Sequence, residues 1–110
     1  MKAPLAQVYE NATGMGVAAI IDHGFCTAEE AGAFLTFENL IAPGGTLPVN
    51  TSGGNLAEGF VHGMSLVTEA VRQIRGTSVN QVPDAALSLM TGGPGDSVAS
   101  SALLGSAETL

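Results

Sequence analysis

Apolar side chains recur along this chain with two different periods. Leu56, Phe60, Met64, Val67, Val71 and Ile74 are spaced 4, 4, 3, 4 and 3, which is one face of a 3.6-residue period. This predicts a helix with Thr51 or Ser52 near its start and Arg72 and Arg75 in its last turn, favourable against the helix dipole. Gly76 stops it. Its apolar face is expected to cover one side of a sheet. The run NATGMGVAAII predicts an earlier helix from about Ala12 to Asp22, with Asn11 as N-cap and Gly24 at its end. Elsewhere the apolar residues form short continuous runs. Leu5 to Tyr9, Ala86 to Met90 and Val98 to Leu104 predict strands. The last two, joined by TGGPGD, read as an antiparallel hairpin. Thr27-Ala-Glu-Glu has the form of a capping box and predicts a brief helical turn. Ala33 to Phe37 and Leu47 to Val49 read as short extended pieces around a turn at Pro43-Gly44-Gly45. The order is strand, helix, irregular segment, helix, strand, strand, which is the pattern of one α/β domain over residues 1–110.

Composition adds to this. Hydrophobic residues make up 45% of the chain, but aromatics only 5%, and Trp is absent. A core of Val, Leu, Ile, Ala and Met suits a mixed sheet with packed helices. No run reaches the roughly 18 apolar residues of a membrane span, and MKAPLAQV lacks a signal-peptide core. The single Cys26 leaves no internal disulfide and fits a reducing, cytoplasmic setting. Ten acids against three bases give a net charge of −7, which argues against nucleic acid or an anionic membrane as partner. The bases Arg72 and Arg75 are expected to lie far from Gly53-Gly54, so a phosphate clamp for a coenzyme is expected on another segment. No His, Cys and carboxylate set has metal-ligand spacing, so no metal is expected.

The richest run for chemistry is PVNTSGGNLAEGFVHGM, Pro48 to Met64. A paired glycine before a helix lets backbone approach a ligand closely, and a helix start offers unpaired N–H groups. A tight turn explains the same glycines. Tyr9 ends a strand, where α/β folds place functional groups; its other reading is a half-buried aromatic. His62 can exchange protons near neutral pH or simply bond loop backbone. His23 reads as a helix C-terminal residue facing the dipole, Glu58 as a first-turn carboxylate, and Cys26 as a small buried apolar residue. Gly92, Gly93 and Gly95 can offer N–H groups to a thioester oxygen, or make a hairpin turn.

VYENATG, GFC at 24–26, LPVNTSGGNLAEGFVHGM, and EAVRQIRGTSVNQVP with LMTGGPG together resemble the C-terminal half of the thiolase superfamily. Within it they are most similar to the lipid-transfer-protein or sterol-carrier-type thiolases. The resemblance implies a thiolase-like half-domain, incomplete without an N-terminal half that carries the nucleophilic cysteine. It implies an acyl-CoA-processing enzyme, an acetyl-CoA acetyltransferase-like acyltransferase or a carbon–carbon lyase, with this chain lining the substrate cavity. A coenzyme A thioester would be substrate of the complete enzyme, with no tightly bound cofactor. Matched to the family, Phe60 stands at the histidine of GHPxG and Met90 at a second cysteine, and neither can exchange protons. The isolated chain is therefore expected to be inactive. Some relatives act as aldolases on acyl-CoA with tyrosines and a small OB-fold (DUF35-type) partner. One such tyrosine lies in a YD- or YE-type run, matching Tyr9-Glu10; the other lies in YVHG, where this chain has Phe60-Val61-His62-Gly63.

The candidate catalytic residues are accordingly Tyr9 and His62, and the candidate substrate-binding residues are Asn50, Gly53, Gly54, Gly92 and Gly93. The expected partners are a cysteine-bearing first half or subunit, a DUF35-type protein, and further copies of the chain. The alternatives are a non-catalytic structural or assembly subunit and a truncated, inactive fragment.

Overall fold

The computed structural model describes residues 5–93 and 98–109. Strand β1 is Leu5–Gln7 and is followed by helix α1, Thr13–Asp22. Two four-residue helices come next, α2 (Ala31–Phe34) and α3 (Phe37–Leu40). Then come α4 (Gly54–Ala57) and α5 (Met64–Arg75). Strands β2 (Leu87–Gly92) and β3 (Ser100–Gly105) complete the order. The sheet runs β1-β2-β3, with β1 parallel to β2 (Ala6 opposite Leu89) and β2 antiparallel to β3 (Leu89 opposite Leu103). On the other side of β1, Val49 forms a parallel bridge to Ala6. The sheet is mixed, as expected, and the predicted hairpin forms. Residues 94–97 of its connection lie outside the described residues.

The ends of α1 are set by local chemistry. Its N-cap is Ala12, not Asn11, and no side chain caps it. At its C-terminus the Gly24 N–H donates to the Ile21 carbonyl and the Phe25 N–H to the Ile20 carbonyl, the paired closure of a Schellman motif. Phe25 is thereby turned onto the core. The capping box forms: the Thr27 N–H donates to Glu30 Oε2 at 3.0 Å, and the Glu30 N–H to Thr27 Oγ1 at 3.3 Å. Hydrogen bonds from the Thr27 backbone and hydroxyl hold the Glu30 carboxyl below its ordinary range. A lowered pKa means the contribution is present above the ordinary carboxylate range and is lost as pH falls through the lowered value. Thr27→Ala should therefore melt below wild type at neutral pH, and the two melting curves should converge in acid. The segment Ala33 to Phe37 is not extended, since it falls across α2 and α3. Thr36 caps α3 by accepting the Asn39 N–H, and this local bond outweighs the β-branched and aromatic bias of the run.

The two faces of the sheet are covered differently. One side carries an apolar cluster of Ala6, Val8, Ile20, Cys26, Leu47 and Leu89. Cys26 is buried there with a free thiol, as expected. Against the strands also packs α5, and its buried residues are Leu66, Glu69, Ala70 and Gln73. This corrects the expected packing. The stripe Leu56, Phe60, Met64, Val67, Val71 and Ile74 does not cover the sheet. Leu56 is 80% and Met64 56% exposed, and Val67, Val71 and Ile74 are only half-buried. The physical reason is polar matching. Gln7 is fully buried on β1, and buried polar groups need partners. Gln7 Nε2 donates to Thr51 Oγ1 at 3.0 Å, Thr51 Oγ1 donates to Glu69 Oε1 at 2.6 Å, and Gln73 Nε2 donates to Thr51 Oγ1 at 3.0 Å. The helix turns its polar residues inward to meet this network, and its apolar stripe faces outward.

The single long helix expected from Leu56 to Ile74 is also broken. Residues 58–63 form a loop between α4 and α5. Phe60 and His62 both lie in it with φ near +46° and +45°, a conformation costly for residues with a Cβ. Glu58 is the C-cap of α4 rather than a first-turn residue.

Candidate functional site

Three loops meet beyond the C-terminal ends of the parallel strands, the usual place for function in such sheets. The first follows β1 and carries Tyr9 and Glu10. The second runs from Asn50 to Gly63, and the third leaves β2 at Gly92. Side chains pin these loops together. The Tyr9 N–H donates to Thr91 Oγ1 at 2.8 Å. Asn50 pairs with Val8 in both directions, accepting its N–H at 2.6 Å and donating to its carbonyl at 3.0 Å. Asn50 thus continues the edge of β1 with its own amide, itself at φ +50°. Glu10 Oε1 accepts the Leu56 N–H at 3.3 Å.

Two glycines are required by this convergence. A Cβ on Gly54 would overlap a Glu10 carboxylate oxygen and lie 2.8 Å from Asn50 Nδ2; a Cβ on Gly63 would lie 2.7 Å from Tyr9 Cδ2. Gly63 is therefore the floor against which the Tyr9 ring rests. The ring also meets Phe60, with centroids 5.8 Å apart and planes at 77°, a favourable edge-to-face arrangement.

Tyr9 is half-buried and opens on a cavity of about 280 Å³ between α1 and the β2–β3 end, lined also by Met15, Thr91, Gly92, Gly93 and Ser100. The structure thus brings together Tyr9, Gly92 and Gly93. Asn50 and Gly54 support the same corner through Val8 and Glu10. Gly53 is exposed and lines a separate cavity with Asn50 and Thr51. His62 is exposed in the 58–63 loop and does not line the Tyr9 cavity.

Sequence reasoning missed four residues here. Thr91 positions Tyr9, Glu10 holds the α4 turn, and Thr51 with Glu69 anchors the second loop to α5. Only Glu10 carried a signal, by standing next to Tyr9. Arg72 was expected far from the Gly-Gly loop, yet it lines one cavity with Thr51, Ser52 and Glu58, the single helix assumed in that expectation being interrupted at residues 58–63. Arg72 and Arg75 do lie in the last turn of α5. His23 is the C-cap of α1, its Nδ1 2.8 Å from the Ala19 carbonyl oxygen. Among the described residues no three His, Cys, Asp or Glu side chains gather as a metal site would require, and no helix is long and apolar enough to cross a membrane.

A mixed sheet, an apolar helix layer on one side and three loops converging past the strand ends define a thiolase-type half-domain. The chain belongs to the thiolase C-terminal domain-like family, whose model matches residues 2–105. Over 90 residues it is 44% identical to the steroid side-chain-cleaving aldolase of Thermomonospora curvata, covering 82% of this chain and 23% of that protein. Over the same length it is 42% identical to the 17-hydroxy-3-oxo-4-pregnene-20-carboxyl-CoA lyase of Mycobacterium tuberculosis, again 82% of this chain and 23% of the relative. A solved structure titled Ltp2-ChsH2(DUF35) aldolase superposes on 94% of this chain and 27% of its own, with TM-score 0.86 at 40% identity. The chain therefore spans about a quarter of the length of the relatives it matches. Both curated relatives are carbon–carbon bond-cleaving enzymes by name, so the lyase branch of the expected chemistry has support that the acetyltransferase branch lacks.

Proposed function

We propose that this chain is the C-terminal part of a thiolase-like aldolase that cleaves a carbon–carbon bond in a β-hydroxyacyl-CoA thioester. The observation that carries this reading is the Tyr9–Phe60 contact. It sets side by side, with ring centroids 5.8 Å apart, the two positions at which the aldolase-type resemblance implies tyrosines, and Tyr9 lines the cavity. In the reaction a base removes the β-hydroxyl proton. The Cα–Cβ bond breaks as the new ketone forms, and the electron pair passes into the thioester as an enolate. A proton then adds at Cα. The Tyr9 hydroxyl is the proton carrier of this half of the site, and the backbone N–H groups of Gly92 and Gly93 face the enolate oxygen. Phe60 supplies shape but no proton. His62, exposed in its loop, does not line the Tyr9 cavity. The nucleophilic cysteine of thiolysis is not needed for this step.

The other catalytic groups, the rest of the thioester site and a DUF35-type companion belong to the portion that this chain does not span. The outward stripe of Met64, Val67 and Val71 is where that portion seats. Without it, copies of the chain are expected to associate at micromolar concentration, because burying apolar surface yields about 25 cal/mol per Å². Val71→Glu should shift light scattering toward monomer. A monomeric wild-type chain that binds no apolar dye would argue against an uncovered face.

The functional test is a chimera in which this chain replaces the matching 90 residues of the Thermomonospora curvata aldolase. It should cleave a 17-hydroxy steroid 20-carboxyl-CoA thioester, and Tyr9→Phe should lower kcat about a hundredfold. Phe60→Tyr should raise it. A folded chimera without turnover, beside an active parent, would defeat the reading.

A further inference from the structure

Strand β2 ends in Met90-Thr91-Gly92. Side chains two apart on a strand share a face, so Thr91 stands with Leu89, on the side of the sheet that carries the apolar cluster of Ala6, Val8 and Leu89. Thr91 is 9% exposed and lines the Tyr9 cavity. A hydroxyl on an apolar face costs free energy unless it is hydrogen-bonded, and a valine would have the same shape.

The structure shows a partner for one side of this hydroxyl. Thr91 Oγ1 accepts the Tyr9 N–H at 2.8 Å. A hydroxyl also has a hydrogen to donate, and among the described residues that hydrogen has no acceptor. The N–H pointing at Oγ1 keeps the hydrogen turned away from the Tyr9 nitrogen. The donor is therefore fixed in place by the backbone of Tyr9, in the cavity that Tyr9, Gly92 and Gly93 also line.

We propose that Thr91 is a further catalytic residue, whose hydroxyl donates to the thioester oxygen of the substrate. This rests on the aldolase reading and adds a side-chain donor to the backbone N–H groups of Gly92 and Gly93. The bond is modest while that oxygen belongs to a neutral carbonyl. It strengthens as the Cα–Cβ bond breaks and the oxygen takes up the enolate charge. An interaction that grows in the transition state acts on kcat rather than on KM.

The test uses the chimera with the Thermomonospora curvata aldolase. Thr91→Val should lower kcat about a hundredfold and leave KM within about twofold. Thr91→Ser, which restores the hydroxyl, should recover most of that loss. If Thr91→Val does not fold, Thr91→Cys, whose thiol is a weak donor, carries the test with a loss of about tenfold. A role confined to holding the Tyr9 N–H predicts another pattern. The substitution would then cost nothing further in a Tyr9→Phe background, where the hydroxyl that it positions is already gone. Direct donation predicts that the two losses multiply. An unchanged kcat, or no further loss in the double variant, overturns the proposal and leaves the aldolase reading standing. A folded chimera without turnover overturns both.

Discussion

Glu69→Leu should lower the thermal midpoint of the chain by roughly 15 °C, from the loss of about 3–5 kcal/mol. Glu69 is 2% exposed, and its Oε1 accepts from Thr51 Oγ1 at 2.6 Å, Gln73 Nε2 at 3.1 Å and Ser78 Oγ at 2.5 Å. Leucine fills similar volume but removes the shared acceptor, leaving the Thr51 and Ser78 hydroxyls without the partner they donate to, while Gln73 Nε2 keeps Thr51 Oγ1 and the Asn80 carbonyl. The loss is not local. Thr51 Oγ1 also receives Gln7 Nε2 from β1, and Gln73 Oε1 holds the Val82 N–H. Removing the carboxylate therefore loosens β1, the Asn50–Gly54 loop and the segment leading to β2 together. Glu69→Gln retains an acceptor at that position and should cost less than half as much. Circular dichroism melts of the three proteins give the comparison. A Glu69→Leu protein as stable as wild type would mean that the network is dispensable, as some buried polar clusters are when replaced by apolar residues.

Gly54→Ala is expected to destabilise the chain by about 3 kcal/mol and to displace the Tyr9 corner. Two costs combine. The residue sits at φ +70°, where a Cβ costs about 1–2 kcal/mol. The new methyl would also overlap the Glu10 carboxylate and crowd Asn50 Nδ2, and overpacking costs about 1–3 kcal/mol. The second part is separable. Glu10→Ala removes the overlapping group, so the double variant should recover about half of the loss, which a double-mutant cycle measures. The Tyr9 aromatic resonances should shift in Gly54→Ala and return toward wild type in the double variant. Additive losses would show that Glu10 does not press on Gly54.

Some elements were legible because their causes are local. The α1 helix needed only its apolar run, and Gly24 at its end closed the hydrogen bonds that the sequence implied. The Thr27–Glu30 box satisfies itself within four residues. The last turn of α5 and its stop at Gly76 depend on neighbours within one turn. The hairpin of β2 and β3 joins strands adjacent in sequence. Tyr9 could be singled out because it ends a strand run beside a carboxylate, and the Gly-Gly pair because glycines before a helix have few purposes.

Other features depended on residues distant in sequence. The apolar spacing from Leu56 to Ile74 correctly indicated helical periodicity over α5, but not which face is buried. That choice was made by Gln7, on a strand far away in sequence, whose buried amide bonds Thr51 and through it Glu69 and Gln73. The break at residues 58–63 is likewise invisible to periodicity, because it follows from Gly63 seating against Tyr9 and Glu10 holding the Leu56 N–H across 46 positions. That break also interrupts the single helix on which a distant Arg72 was expected. The sequence by itself therefore determined the family, the alternation of elements and the chemical groups available. The tertiary structure decided which of them share a cavity, since satisfying buried polar atoms is a long-range condition that no local window contains.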